Sequence, residues 1–169
     1  MKIRILVVAL MLGGSAFAAS PLSPKTTTFN VSSDVIANCT ISATDLSFGN
    51  YDPVGANATT PLDVNTTVSV LCTKGASGVT VGLDTGTHVV GGNRFMADAV
   101  SGDTLQYELY SDSAHSSVWG NAGTGLVGWA TFGPISGGAV AKTVYGRVPQ
   151  AQDKTVGHYT DVITATVNF

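Results

Sequence analysis

Charged residues are scarce in this chain. Asp, Glu, Lys and Arg together make up 11% of its 169 residues, and glutamate occurs only once, as Glu108. Ordinary soluble domains carry about 25% charged residues. Acidic side chains outnumber basic ones by 11 to 8, and the sequence has no cluster of basic residues of the kind that binds phosphate backbones. We therefore expect no nucleic acid among the partners of this protein.

The chain also lacks the motifs that carry chemistry. Its three histidines, His88, His115 and His158, are scattered and match no metal-ligand spacing. It contains no G-x-S-x-G elbow, P-loop or dinucleotide-binding fingerprint. Most aspartates stand beside predicted turns, where the side chain binds nearby backbone amides, which is a commoner role than membership of a catalytic carboxylate pair. The sequence thus predicts no enzyme, no cofactor and no metal site.

Long apolar runs are missing, with one short exception near the N-terminus. Two basic residues precede an apolar run at 5–12, and small residues follow it, with Ala16 and Ala18 in A-x-A register. This order is typical of a secretory signal peptide, which we predict at residues 1–18. The run is far shorter than the roughly 20 residues that a transmembrane helix needs. We expect an exported chain without a membrane span.

Cysteine is almost absent as well, with only Cys39 and Cys72 in the chain. Both lie in the part predicted to be exported, where the surroundings oxidise thiols, so a disulfide bond between them is the favoured interpretation. A catalytic thiol is the alternative. It is disfavoured because no single leftover cysteine remains and no histidine motif accompanies the pair.

The abundant residues favour strands and turns. Val and Thr each occur 21 times and Gly 20 times, and Val and Thr are strand formers while Gly serves turns. Connections such as GTHVVGGNR, rich in turn residues, separate the strand-like runs. Many short strands with such spacing predict one all-β sandwich domain. The runs are TTFNVSSDVIA from Thr27, LSFGNY from Leu46, TTVSVLC from Thr66, GVTVGL from Gly78, TLQYELYS from Thr104, LVGWATF from Leu126, KTVYGRV from Lys142, and the terminal HYTDVITATVNF.

The terminal run has a clear two-residue period. Ile163, Ala165, Val167 and Phe169 point one way, while the residues between them are polar. This pattern is typical of a half-buried strand. Because folded proteins avoid leaving an apolar strand at an open sheet edge, we expect something to cover it.

Several segments, in order, give the sequence a family resemblance. The last of them combines Y-G-x-x-P-x-x-Q with G-x-Y-x-D and a terminal V-x-F. On these residues the chain resembles the spore coat protein U (SCPU) domain family, whose members include subunits of archaic, Csu-type chaperone-usher pili. The segments are CTISATDLSFGNYDP from Cys39, TTVSVLC, RFMADAVSGDTLQYELYSD from Arg94 with WG at Trp119, and YGRVPQAQDKTVGHYTDVITATVNF from Tyr145.

The resemblance implies an incomplete immunoglobulin-like β-sandwich that lacks its last strand and is completed by donor-strand complementation. In such pili a periplasmic chaperone first fills the groove beside the last strand. At the outer-membrane usher, the N-terminal extension of the next subunit replaces the chaperone. The resemblance implies that Ile163, Ala165, Val167 and Phe169 form the acceptor strand. Cys39 and Cys72 match the disulfide positions of the family.

A donor strand is available in the predicted N-terminal extension, residues 19–38, which precedes the sandwich domain at 39–169. Phe29, Val31 and Val35 fall on one face of this extension if it is extended. Their side chains would enter pockets of a neighbouring subunit. The alternative interpretation is that this stretch is the first strand of its own sandwich.

Three functions follow from these observations. The leading hypothesis is a structural subunit that passes through the periplasm and self-polymerises by donor-strand exchange into a cell-surface pilus (fimbrium) for cell adhesion and biofilm formation. The first alternative is a secreted spore or cell-surface coat protein of the same family. The second is a free-standing exported binding domain or hydrolase, which would keep its terminal strand paired within its own chain.

Overall fold

The structure, a computed structural model, describes residues 24–121, 130–131 and 138–169. The predicted signal peptide lies outside the described residues, as does all of the LVGWATF run apart from two residues. The backbone divides into two compact units, Met1–Asp34 and Val35–Phe169. In the first unit, residues 24–34 are exposed and contain no helix or strand.

The described residues form ten strands and one turn of 3₁₀ helix, Ala56–Ala58. The prediction of an all-β chain is confirmed. The strands are β1 Cys39–Ala43, β2 Leu62–Cys72, β3 Thr80–Leu83, β4 Val89–Val90, β5 Asn93–Asp98, β6 Thr104–Tyr110, β7 Ala130–Thr131, β8 Val140–Val148, β9 Tyr159–Thr160 and β10 Ala165–Asn168.

These strands belong to two antiparallel sheets. The larger has the order β1-β2-β8-β6-β5-β4, with β9 paired to β5, and the smaller has the order β10-β3-β7. Neighbours in each sheet come from distant parts of the chain, since β2 pairs with β8 and β3 pairs with β10. Such crossing connections are typical of immunoglobulin-like sandwiches.

The core lies between the sheets and follows the alternation of the strands. In β2, Val68 and Val70 are buried, whereas Thr67 and Leu71 face solvent. Burying a valine or leucine side chain contributes roughly 1.5–3 kcal/mol, so these positions dominate the stability of the sandwich. The buried apolar side chains are Val68, Val70, Cys72, Val79, Val81, Leu83, Leu105, Tyr107, Leu109, Trp119, Val144 and Val148.

The predicted disulfide between Cys39 and Cys72 is confirmed, with an S–S distance of 1.98 Å. The two residues stand opposite each other where β1 pairs with β2. The bond therefore fastens the edge strand β1 to the larger sheet.

Two predicted strands and one predicted connection turned out differently. The runs beginning at Thr27 and Leu46 contain no strand, because within the described residues no neighbouring strand pairs with them. The connection GTHVVGGNR instead contains β4 and the start of β5, which pair as a hairpin. Its turn residues Gly91 and Gly92 have φ of 60° and 86°, the left-handed values that a tight two-residue turn requires.

A buried asparagine organises the long connection between β1 and β2. Asn57 is only 5% exposed, and its side chain accepts the N–H of Asp52 at 2.9 Å and donates to the carbonyl of Thr60 at 3.0 Å. Its main-chain carbonyl accepts the N–H of Ala151 at 2.9 Å. The turn is therefore held both internally and against the chain that follows β8.

Candidate functional site

An open apolar cavity of about 910 Å³ lies between the two sheets. We call it the groove. One wall is the last residue of β1 and the chain after it, residues 43–51, and the other is the chain from 154 to 163 that leads into β10. Core side chains from both sheets form its floor, namely Val68, Leu83, Leu105, Tyr107, Leu109, Val144 and Val148.

The first wall has a strand-like sequence but no strand partner. Leu46 and Phe48 pack against the core, and they can do so because Gly146 on β8 has no side chain. A Cβ at Gly146 would lie 2.8 Å from Leu46 Cδ1 and 2.9 Å from Phe48 Cζ. Within the described residues, no main-chain hydrogen bond joins residues 46–51 to another segment. Residues 46–51 of this wall thus have no main-chain partner among the described residues.

The second wall ends in β10, which has one strand neighbour among the described residues, β3. Thr164, just before β10, bonds to Asp84 through its main chain. Because main-chain groups of successive residues point to opposite sides of a strand, those of Ile163, Ala165 and Val167 are directed away from β3. On this side β10 pairs with no other described strand, and it forms a sheet edge beside the groove.

The structure places the four predicted acceptor residues in two environments. Ile163, Ala165 and Val167 are half-buried and pack against the core. Phe169 is 57% exposed, because it follows the last paired residue of β10. The predicted alternation holds for the first three, and their role as an acceptor strand stays a prediction.

The predicted donor residues are all exposed in the single chain. Phe29, Val31 and Val35 are each 84% exposed. Phe29 and Val31 belong to the first compact unit, and Val35 begins the second. Three large apolar side chains with this exposure are expected where a segment packs on something outside its own chain, and the donor role stays a prediction.

The motif Y-G-x-x-P-x-x-Q has a structural role near one end of the groove. The hydroxyl of Tyr51 donates to the carbonyl of Pro149 at 2.9 Å and accepts the N–H of Gln152 at 3.0 Å. The side-chain amide of Gln152 in turn bonds both the N–H and the carbonyl of Gln106, each at 2.9 Å. Gln152 therefore pairs with β6 as a short strand would.

The motif G-x-Y-x-D shapes the wall before β10. Gly157 lies against Asp98, where a Cβ would come within 2.7 Å of the carboxyl carbon. The Asp98 carboxylate accepts the N–H groups of Ser101 at 2.7 Å and His158 at 3.1 Å. Hydrogen bonds from Ser101 hold the pKa of Asp98 below its usual value. One carboxylate thus joins two turns.

The last residue of that motif, Asp161, lies in the connection between β9 and β10 and gathers several hydrogen-bond donors. Its side chain is only 2% exposed, and burial alone would raise its pKa. Hydrogen bonds from Thr87 and Tyr107 outweigh that effect, so the pKa of Asp161 lies below its usual value. Nδ1 of His88 is 3.2 Å from the same carboxylate. Asp161 is therefore a buried anion with several donors.

Within the described ranges, no group of three or more His, Cys, Asp or Glu residues could hold a metal ion. The same residues include no helix that is long and apolar enough to cross a membrane. Sequence reasoning missed two buried residues that form an ion pair behind the end of β3, Arg94 and its carboxylate partner Glu108. Their only signal was rarity, because Glu108 is the single glutamate of the chain.

Comparison with known proteins gives both a family and a fold. The model of the Spore Coat Protein U domain matches residues 25–166. Among curated proteins, the chain is 35% identical over 184 aligned positions to Protein U of Myxococcus xanthus. That alignment covers 99% of this chain and 98% of the relative.

Among solved structures, the fold is similar to a chain of the CsuC–CsuE chaperone–tip adhesion subunit pre-assembly complex from archaic chaperone-usher Csu pili of Acinetobacter baumannii. The TM-score is 0.55 at 21% identity, covering 80% of this chain and 40% of the other. This chain thus spans less than half of that one. The minor tip subunit HdaB of the E. coli Hda pilus matches at 18% identity and a TM-score of 0.40, covering 77% of this chain and 79% of the other.

Proposed function

Because the chain belongs to the Spore Coat Protein U domain family, we propose that it is an exported structural subunit that polymerises by donor-strand exchange into a surface pilus for adhesion and biofilm formation. The observation that carries this proposal is the groove, which runs beside the open edge of β10. An apolar floor next to a row of unpaired backbone groups is the surface that strand addition requires.

Strand addition would pair the edge of β10 and fill the groove at the same time. An incoming strand would bond the free main-chain groups of Ile163, Ala165 and Val167, while its alternate side chains would fill the groove. Phe29, Val31 and Val35 of a second copy supply apolar side chains on one face of an extended segment. On this proposal residues 19–38 are the donor extension and residues 39–169 the sandwich that accepts it.

On this proposal the same groove also makes a chaperone and an usher necessary. An open edge above an apolar cavity invites aggregation, so the chain would need a periplasmic chaperone after the signal peptide at 1–18 is removed. The pre-assembly complex named above is one of a chaperone with a tip adhesion subunit. For this chain we infer transfer from such a chaperone to the outer-membrane usher, where the next subunit takes the place of the chaperone.

The family name favours a second candidate, a secreted protein that coats a spore or cell surface. The similarity to Protein U over nearly the whole length of both chains supports keeping it. A coat protein of this fold would still need its edge covered. It would not need an N-terminal segment that leaves one subunit for the next.

The decisive experiment deletes residues 19–35 from the exported chain and expresses both forms with a cognate chaperone. We expect the full chain to give detergent-resistant polymers and the deleted chain to remain as a complex with the chaperone. Polymers of the deleted chain would exclude this segment as the donor. Assembly into a surface layer without any chaperone would favour the coat protein.

A matched pair of substitutions sharpens this test. Val31→Asp places a charge where an apolar pocket is expected, which costs several kcal/mol unless the charge is paired. Ser32→Asp introduces the same charge on the opposite face of the segment. We expect Val31→Asp to reduce polymer yield strongly and Ser32→Asp to leave it near the level of the unmodified chain. Equal yields for the two variants would contradict the proposed register.

A further inference from the structure

We propose that Arg94 is a positioning residue that holds β10 in the geometry an incoming strand needs while the groove is still empty. This inference rests on the proposed function, because it assigns a role to the wall of the groove. It draws on a chain of contacts that begins in the larger sheet and ends at the start of β10.

The first part of that chain is the guanidinium group of Arg94, which is 0% exposed. Nε and Nη2 donate to the carbonyl of Asp84 at 2.8 Å and 2.5 Å. Nη2 also reaches the carbonyls of Leu83 at 3.1 Å and Trp119 at 2.8 Å. Nη1 donates to the carboxylate of Glu108. Arg94 on β5 thereby holds the end of β3 through hydrogen bonds.

The second part leads from Asp84 to β10. The N–H of Asp84 donates to the carbonyl of Thr164 at 3.0 Å, and the N–H of Thr164 donates to the carboxylate of Asp84 at 2.9 Å. In the next step of the register, Leu83 stands opposite Ala165. Movement of the end of β3 would therefore move the first residues of β10 directly.

The chemistry of the pair favours positioning over stabilisation. Burying a guanidinium is costly, and replacing a buried ion pair by apolar side chains often leaves stability unchanged or higher. Here Glu108 neutralises the charge and also accepts the N–H of Leu109 at 2.9 Å. The pair instead fixes the positions of the carbonyl groups that it binds. The planar guanidinium of arginine reaches several carbonyls at once, whereas lysine cannot.

This positioning of the end of β3 matters most when the groove is empty. Among the described strands β10 pairs by hydrogen bonds with β3 alone, and its inner face borders the cavity. Strands with few packed contacts open locally at low free energy. Anchoring the end of β3 limits such opening at the edge where a strand would add.

The test compares Arg94→Met and Arg94→Lys with Arg147→Met in the full exported chain. Arg147 is the matched control, because its guanidinium pairs with the exposed Asp63 at 2.7 Å on the outer face of the larger sheet. Amide hydrogen exchange is measured strand by strand in the monomer and again in polymers. Assembly rate is measured alongside.

We expect both Arg94 variants to exchange about tenfold faster or more in β3 and β10 of the monomer, with β2 and β8 unchanged. Assembly should slow by a similar factor, and polymers should exchange as the unmodified chain does. Arg147→Met should change none of these. Equal acceleration in all strands would mean a merely structural role and would overturn the proposal.

If the single variants do not fold, the double variant Arg94→Met with Glu108→Met takes their place, because it removes both buried charges together. Selective exchange in β10 of this folded double variant supports the proposal, and protection equal to that of the unmodified chain overturns it. If the unmodified chain never polymerises, the proposed function fails. The exchange pattern of the monomer still decides whether Arg94 anchors β10.

Discussion

Tyr107 and Asp161 are joined by a hydrogen bond of 2.7 Å from the phenolic hydroxyl to the carboxylate. Tyr107 lies on β6 of the larger sheet, and Asp161 lies in the connection from β9 of the larger sheet to β10 of the smaller one. Burial, with a further contribution from this hydrogen bond, raises the pKa of Tyr107 above its usual value. The hydroxyl is therefore protonated and a donor at neutral pH, and the bond ties β6 to the connection between β9 and β10.

Replacing Tyr107 by phenylalanine should lower the free energy of unfolding by about 1–3 kcal/mol, because the buried Asp161 carboxylate loses a donor. Urea denaturation measures the change. Tyr145→Phe is the control, since it removes the same hydroxyl from a tyrosine whose ring packs edge-on against His115 rather than against Asp161. Equal stability of Tyr107→Phe and the unmodified chain would show that the bond contributes nothing.

Acid should destabilise the fold through Asp103. Main-chain N–H groups of Thr155 and Thr104 lower the pKa of Asp103 from 3.8 to about 2. Because the folded pKa is below the unfolded one, the stabilisation is present above pH 3.8 and is lost as pH falls toward 2. Asp103→Asn should flatten the dependence of unfolding free energy on pH in this window.

The control for that titration is Asp153→Asn, which removes the same charge from an exposed side chain nearby. Urea unfolding of both variants between pH 2 and pH 6 compares the slopes. A slope for Asp103→Asn as steep as that of the control would contradict the assignment.

Gly146 should tolerate no side chain. Alanine there would place its Cβ 2.8 Å from Leu46 and 2.9 Å from Phe48, and such overpacking typically costs 1–3 kcal/mol. Gly138→Ala is the matched control, because no described residue lies within 4 Å of its Cβ position. Thermal unfolding should separate the two variants, and Phe48→Leu should restore part of the stability of Gly146→Ala.

The disulfide should contribute substantially to stability. It joins residues separated by 33 positions, and closing a loop of this size is worth roughly 3–4 kcal/mol in the chain-entropy model. Replacing Cys39 and Cys72 together by serine should lower the unfolding free energy by an amount of this order. Reduction of the unmodified protein provides the comparison, and a midpoint that neither treatment shifts would refute the prediction.

The sequence predicted those strands whose two faces differ. Apolar and polar residues alternate in β2, β6, β8 and β10. The buried face of each of these strands can therefore be predicted from its own sequence. The sequence does not predict the hairpin of β4 and β5, because Gly91 and Gly92 are also typical of a longer loop. The run at residues 46–51 has the pattern of a strand, but pairing depends on a neighbour elsewhere in the chain.

For the same reason, the sequence predicts only part of the candidate site. The alternation of Ile163, Ala165 and Val167 predicted an inner face, and the structure has it. No pattern predicted Arg94, because a single arginine carries no period and its partners come from three distant segments. Phe29 and Val31 illustrate a further limit, since an extended segment has the same alternation whichever chain it joins.

The enclosed turn around Asn57 has a consequence for production of the protein. Asn57-Ala58-Thr59 is an acceptor sequence for N-linked glycans, yet the amide of Asn57 is buried and already donates to Thr60. A host that glycosylates chains before they fold would attach a sugar that this turn cannot enclose. Thr59→Ala removes the acceptor sequence at an exposed residue and leaves Asn57 in place. Intact mass and thermal unfolding of both forms from such a host would show whether the modified turn closes.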